Sequence, residues 1–190
     1  MESKGTRKRW TYAEFARLPP SGTTRYEVID DELVVTPGTT ARHQRVVGRL
    51  MYRLFGFAEE HRLGEVFTAP FDVLFAEGDY VEPDILFVRS DRLDLVSHRG
   101  VEGPPDLVVE VLSPSTAARD RGAKLDRYRL FGVAEYWVVD PDEQVVEVWD
   151  LAGGAKEPAV CGPAGTLRWT PVRDDEGLTL EIEVAELFGP

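Results

Sequence analysis

The segment Leu107-Val108-Val109-Glu110-Val111-Leu112 is an apolar run of strand length with one acidic residue inside it. A run of this kind folds as a strand through a hydrophobic interior, where aliphatic side chains fill the available space. A carboxylate buried there costs several kcal/mol unless it is paired, protonated or bound to a metal. The fold must therefore supply Glu110 with a partner. Alternate residues of a strand share a face, so Asp106, Val108, Glu110 and Leu112 point one way and Leu107, Val109 and Val111 the other.

The patterns around that run predict an α/β (α+β) domain, a central mixed β-sheet flanked by helices. Thr11 to Leu18 reads as a short helix with Thr11 as cap and Glu14 three residues on, stopped by Pro19-Pro20. Tyr26–Ile29 and Leu33–Thr36 flank Asp30-Asp31-Glu32 as a hairpin. Thr40 to about Glu60 carries the longest helical pattern, with Val46, Val47, Leu50, Leu54, Phe55 and Phe57 mostly on one side and Gly64 as its stop. Strands are predicted at 65–68, 71–75, 84–88 and 106–112, with 89–105 a long connection. Ser115 or Thr116 caps a helix whose inward residues are Leu125, Tyr128 and Phe131, and Gly132 ends it. Strands follow at 135–139 and 145–149, with weaker ones near Leu167 and at 178–182.

At 190 residues the chain fits a single domain, with a basic and helical extension over about the first 20 positions. Cys161 is the only cysteine, which excludes an intramolecular disulfide and a thiolate metal cage. No stretch is long and apolar enough for a membrane, so a soluble cytoplasmic protein with no membrane partner is expected. The net charge of −12 argues against simple coating of nucleic acid, whose affinity comes from clustered cations. Two local basic surfaces remain: Lys4, Arg7, Lys8 and Arg9, and a helical stripe of Arg42, Arg45, Arg49 and Arg53. The stripe reads equally as a solvated helix face or a phosphate contact. Acidity gathers instead in Asp174-Asp175-Glu176 and from Glu181 to Glu186. Gly-rich phosphate loops and Ser-His or Cys-His arrangements are absent.

Pro83-Asp84 opens the apolar run Ile85-Leu86-Phe87-Val88. Carboxylates on neighbouring strands approach to about 5 Å, close enough to share a divalent cation. Magnesium suits such oxygen ligands, with manganese as substitute, and would activate water and stabilise charge at phosphorus. Asp120, Lys124 and Tyr128 lie one turn apart on one helical face, so the Lys124 ammonium can reach the same pocket. Two carboxylates and a lysine are the parts of a metal-dependent phosphodiesterase. Each residue has a plainer reading too. Lys124 can pair with Asp120 at the surface, Asp84 can merely start a strand, and Glu110 can form a structural pair with an arginine.

The wider text resembles the PD-(D/E)XK nuclease superfamily and, within it, the Uma-type restriction-endonuclease branch. The resemblance is carried by Tyr26-Glu27-Val28-Ile29-Asp30, by His43, by Val81-Glu82-Pro83-Asp84-Ile85, by Pro105 through Thr116, and by Gly132-Val133-Ala134-Glu135-Tyr136-Trp137. It implies a restriction-endonuclease-like fold with Asp84 and Glu110 as metal ligands. The superfamily lysine two residues after the acid is Leu112 here, and in this branch the lysine has moved to the following helix, where Lys124 fits. Glu27 matches a family acidic position and completes the site, unless it is an exposed hairpin residue. His43 is a candidate for substrate binding, as are Arg45, Arg49, Asp120 and Tyr128, although a histidine at a helix start also serves as cap or packing residue. The expected activity is a magnesium-dependent endonuclease acting on DNA. A nuclease fold that no longer cuts and serves to bind nucleic acid or protein is the alternative. Such folds often act as homodimers.

Overall fold

The computed structural model describes residues 9–19, 24–172 and 177–189. The basic residues Lys4, Arg7 and Lys8, the helix stop at Pro20 and the acidic run 174–176 lie outside the described residues. Helix α1 (Tyr12–Phe15) starts as its capping box dictates: Thr11 Oγ1 accepts from the Glu14 N–H, and the Glu14 carboxylate accepts from the Thr11 N–H. It is shorter than the span 11–18. Strands β1 (Arg25–Ile29) and β2 (Glu32–Thr36) form the predicted hairpin. Asp30 and Asp31 make its tight turn with φ of 53° and 62°, a conformation that aspartate tolerates better than most residues.

Helix α2 (Ala41–His61) begins at Thr40, whose side chain accepts from the His43 N–H, and buries His43, Val46, Leu50, Leu54 and Ala58. Phe55 faces out. The helix stops at Arg62 in the left-handed conformation, before Gly64, which opens β3 (Gly64–Thr68) instead. Gly64 has φ of 152° and a side chain there would meet the Val88 carbonyl, so glycine is needed for the strand approach rather than for the helix end.

Next come β4 (Val73–Ala76), β5 (Asp79–Val81) and β6 (Ile85–Arg89). The connection 89–105 contains a 3₁₀ turn, Ser90–Leu95, and a two-residue hairpin, β7 (Val96–Ser97) and β8 (Gly100–Val101), elements too short to leave a periodic signature. The acid-bearing run is β9 (Leu107–Val111). One helical course follows, built of α3 (Ala117–Arg119), a π turn (Asp120–Lys124) and α4 (Leu125–Phe131). Gly132, at φ of 85°, ends it. The rest is β10 (Glu135–Asp140), β11 (Val145–Asp150), β12 (Ala159–Cys161), β13 (Thr166–Trp169), β14 (Leu180–Glu183) and α5 (Val184–Phe188).

The central sheet has the order β12-β11-β10-β9-β6-β3 and is mixed, because β9 and β10 run parallel across the helical crossover while the other pairs are antiparallel. A second six-stranded sheet, β2-β1-β5-β4-β8-β7, was not anticipated from the patterns. The alternation predicted for β9 holds. Leu107, Val109 and Val111 join α2 residues Leu50 and Leu54 and the aromatic rings of Trp137 and Trp169 in one core. Val108 and Leu112 join Leu125, Tyr128, Val73 and Val101 in the other. Each face is thus covered by a different layer, which is why the β9 run is apolar throughout except at Glu110. Phe87 and Trp137 both meet Trp169 edge-on, with centroids at 4.9 and 6.4 Å, which ties the β13–β14 flap to the sheet.

Candidate active site

Glu110 leaves β9 on the face of Val108 and is only 3 % exposed. Its partners come from the helical course over that face. Lys124 Nζ lies 2.7 Å from Glu110 Oε1 and 2.7 Å from Glu27 Oε1, and the Tyr128 hydroxyl donates to Glu110 Oε1 at 2.6 Å. Lys124 is 2 % exposed, so its pairing with Asp120 is not a surface one, and among the described residues no arginine is paired with Glu110. Asp120 is buried beside Lys124 at 4.0 Å, and its Oδ1 has no hydrogen bond among the described residues. The π turn makes room for both side chains on one inward face. Tyr136, from β10, donates its hydroxyl to the Asp120 main-chain carbonyl at 3.0 Å and so occupies a carbonyl in that widened turn.

Asp84 immediately precedes β6 rather than opening it, and the pairing of Ile85 with Val109 sets it beside the Glu110 end of β9. It is held from three directions. Arg25 donates to Oδ1 at 2.8 Å, the Val111 N–H donates to Oδ2 at 2.8 Å, and His43 Nε2 is 3.0 Å from Oδ2. Burial works to raise the Asp84 pKa, but the hydrogen bond and charge of His43, the charge of Arg25 and the Val111 N–H outweigh it and hold the carboxyl below its usual range. Glu27 is 2 % exposed and lies inside the fold, not on an open hairpin. It accepts from the Glu82 N–H at 3.0 Å as well as from Lys124.

Asp84, Glu110, Glu27, Asp120, Lys124 and His43 all line one cavity of about 180 Å³. Around its mouth stand Arg25, Thr36, Thr39, Ser113, Ser115 and Arg119, all of them bearing hydroxyl or guanidinium groups. Arg119 donates to Thr36 at 2.8 Å and sits 3.8 Å from Glu27. The mouth was not anticipated, yet part of it had a signal: in β1 a period of two puts Arg25 on the same face as Glu27.

The cavity is over-supplied with acid. Desolvation pushes Glu110 up to about 8, against the pull of Lys124 and with the repulsion of Asp120, Asp84 and Glu27. Asp120 is raised for the same reasons. Lys124 is moved the other way from what burial dictates: three carboxylates hold it protonated far above neutrality. The ammonium is the firm charge of the cluster, and the remaining proton deficit falls on the carboxylates. A second acidic layer lies beside them, where burial pushes Glu82 up to about 7 and Asp72 up to about 6.

Among the described residues no three Asp, Glu, His or Cys side chains are gathered into a ready metal site, but individual acceptor oxygens remain open to a cation. Carboxylate oxygen is the hard donor that magnesium prefers, Asp120 Oδ1 is buried without a hydrogen bond, and both bonds to Glu110 fall on Oε1. Tyr128 is not among the residues lining the cavity; it stands behind Glu110 as its hydrogen-bond support. Arg45 and Arg49 are also not brought to the cavity. They border separate hollows on α2, where Arg49 donates to the carbonyls of Leu187 and Gly189. Arg42 is tied to Asp142 and the Pro141 carbonyl, and Arg53 to Glu186.

A mixed sheet with paired acids and a lysine at one end is the arrangement of the restriction-endonuclease-like class. Residues 12–182 match the Uma2 family, described as "Putative restriction endonuclease". The chain belongs to that family. It is 28 % identical over 150 residues to the uncharacterized protein sll1609 of Synechocystis, covering 78 % of this chain and 84 % of that one. A solved structure described as a putative nuclease belonging to DUF820, from Anabaena variabilis, superposes with a TM-score of 0.75 at 22 % identity, covering 94 % of this chain and 97 % of that one. At that identity the likeness establishes the fold.

Proposed function

We propose that the protein is a metal-dependent nuclease that hydrolyses phosphodiester bonds in DNA, with magnesium, or manganese in its place, held by Asp84 and Glu110. The observation that supports it most is the convergence of Glu27, Glu110 and Asp120 around the Lys124 ammonium, with Asp84 lining the same cavity. The four carboxylates still outnumber the three cations of the cavity, Lys124, Arg25 and Arg119, which leaves room for a further positive charge, and the family membership supplies the reaction class. When bound, the ion would supply charge for the phosphoryl oxygens and acidify an attacking water.

The chain's own residues divide the remaining work. Arg25, His43 and the Val111 N–H fix the Asp84 carboxylate and keep it ionised. Tyr128 and Lys124 hold Oε1 of Glu110, which leaves Oε2 for the cavity. Glu110, Glu27 and Asp120 hold the Lys124 ammonium in its protonated form, where it would offset negative charge as the phosphorus becomes pentacoordinate. Arg119 and the hydroxyls of Ser113, Ser115 and Thr36 stand where the flanking phosphates of a strand would enter.

The test is cleavage of supercoiled plasmid and of labelled single-stranded DNA by parent, Glu110→Ala and Lys124→Ala proteins in magnesium, manganese and EDTA. Metal-dependent strand scission lost in both folded variants supports the reading. No scission by the folded parent in either metal would overturn it.

A further inference from the structure

The outer face of α2 is symmetric about one residue. Tyr52 is 79 % exposed, the most open of the large apolar side chains among the described residues, and it stands opposite the packed face of Val46, Leu50, Leu54 and Ala58. Four residues before it and four after come Gly48 and Gly56, neither with anything within 4 Å of where a side chain would begin. Seven before and seven after come Arg45 and Glu59, both exposed, with neither side chain in an ion pair or hydrogen bond among the described residues. At about 100° per residue all five share one face. Phe55, 47 % exposed, flanks them. Arg45, Gly48, Tyr52, Phe55 and Glu59 follow one another at intervals of three and four, the spacing of a seam along which a second helix lies.

We propose that this face docks the α2 helix of a second copy of the chain, antiparallel, about a twofold axis at Tyr52. A twofold contact requires a surface that complements itself when reversed, and reversal about Tyr52 sets Arg45 against the second copy's Glu59 and Glu59 against its Arg45. A parallel pair would set arginine against arginine and glutamate against glutamate. In the antiparallel pair the bare turns at Gly48 and Gly56 face one another, which lets the helices approach closely. The two tyrosines do not collide, because a helical side chain leans over the turn N-terminal to it, and the turns of the two Gly48 residues lie in opposite directions along the pair. Arg49 and Arg53 do not oppose the approach, since the carbonyls of Leu187 and Gly189 and the carboxylate of Glu186 already engage them. Each chain carries a net charge of −12, so two copies repel at long range, and a face that carries arginines is where that repulsion is least. The docking is independent of the proposed cleavage: His43, which reaches the cavity, lies on the packed side of α2, so the pairing does not cover the cavity.

The experiment is sedimentation equilibrium of the full chain in EDTA buffer, with parent and variants first verified as folded by circular dichroism. The parent is expected to reach twice the mass of one chain. Arg45→Glu and Glu59→Arg should each weaken the dimer by roughly ten- to a hundred-fold, because each brings like charges together at two symmetric contacts. The double variant, Arg45→Glu with Glu59→Arg, should restore it, and so should an equimolar mixture of the two single variants. Tyr52→Arg should be monomeric at concentrations where the parent is dimeric. A parent that stays monomeric at roughly 100 μM would overturn the proposal and leave the face to a different partner. So would a dimer indifferent to both charge reversals, which would set the interface elsewhere. A dimer broken by each reversal but not restored by the double variant would refute the antiparallel register, and the proposal with it.

Discussion

Replacing Lys124 by methionine keeps the length and apolar stem of the side chain and removes its charge. The ammonium lies 2.7 Å from both Glu27 and Glu110. At an effective dielectric of about 20, each contact is worth about 6 kcal/mol gross, most of it offset by the desolvation of the ions involved. The net cost of breaking such a buried cluster is about 3–5 kcal/mol, because the carboxylates stay buried without compensation. Against a domain stability of about 5–15 kcal/mol, that is a large share. With a urea dependence of about 2 kcal/mol per molar, the unfolding midpoint in EDTA at pH 7.5 should fall by about 2 M. The deficit must shrink at pH 5, because the buried carboxyls left without the ammonium have their folded pKa values raised further, and a raised carboxyl pKa favours the folded state increasingly as the pH falls. Magnesium should also recover part of it. Urea titrations of parent and Lys124→Met at both pH values decide the matter. An unchanged midpoint at pH 7.5, or a deficit that grows at pH 5, would refute the charge reasoning.

Three further outcomes are expected. Tyr128→Phe removes the 2.6 Å bond to Glu110 and should lower stability by about 1.5–3 kcal/mol in urea titration while the fold is retained, since only the hydroxyl is lost. Asp72 has a folded pKa raised to about 6 from 3.8, so its burial favours the folded state only while it is protonated and that advantage is lost as pH rises from about 4 through 6. Asp72→Asn should therefore raise the melting temperature of the metal-free protein at pH 7 relative to parent, by about 1 kcal/mol of stability after solvent screening, and leave it unchanged at pH 3.5. Trp169→Ala opens the contact with Phe87 and Trp137 and should cost about 3–5 kcal/mol, read as a lower melting temperature.

The site was legible in the sequence where chemistry conflicts with pattern. Glu110 stands out because an acid breaks an aliphatic run, and the period of two then sorted its neighbours between the two cores on either side of the central sheet. Spacing by fours likewise placed Asp120, Lys124 and Tyr128 on one inward face. What the spacing could not reveal was the π turn that accommodates them, or that Tyr136 from β10 would donate to a carbonyl in it. Arg119 and the serine-rich mouth carry no pattern of their own, since loop residues gain their position only from the elements around them. The second sheet escaped notice because β5, β7 and β8 are two or three residues long and are fixed by pairing with distant strands rather than by local preference. The arginine stripe on α2 was correctly placed on a helix face, but the carboxylates and carbonyls that engage Arg42, Arg49 and Arg53 come from 99 to 140 positions away.

Whether Asp84 and Glu110 form one divalent cation site is tested most directly by titrating manganese into the folded, EDTA-stripped protein and following the free ion by electron paramagnetic resonance. Saturable binding by the parent, lost in Asp84→Asn and in Glu110→Gln and competed by magnesium, is the predicted result. Binding that is absent in the parent, or unchanged in both variants, would contradict it.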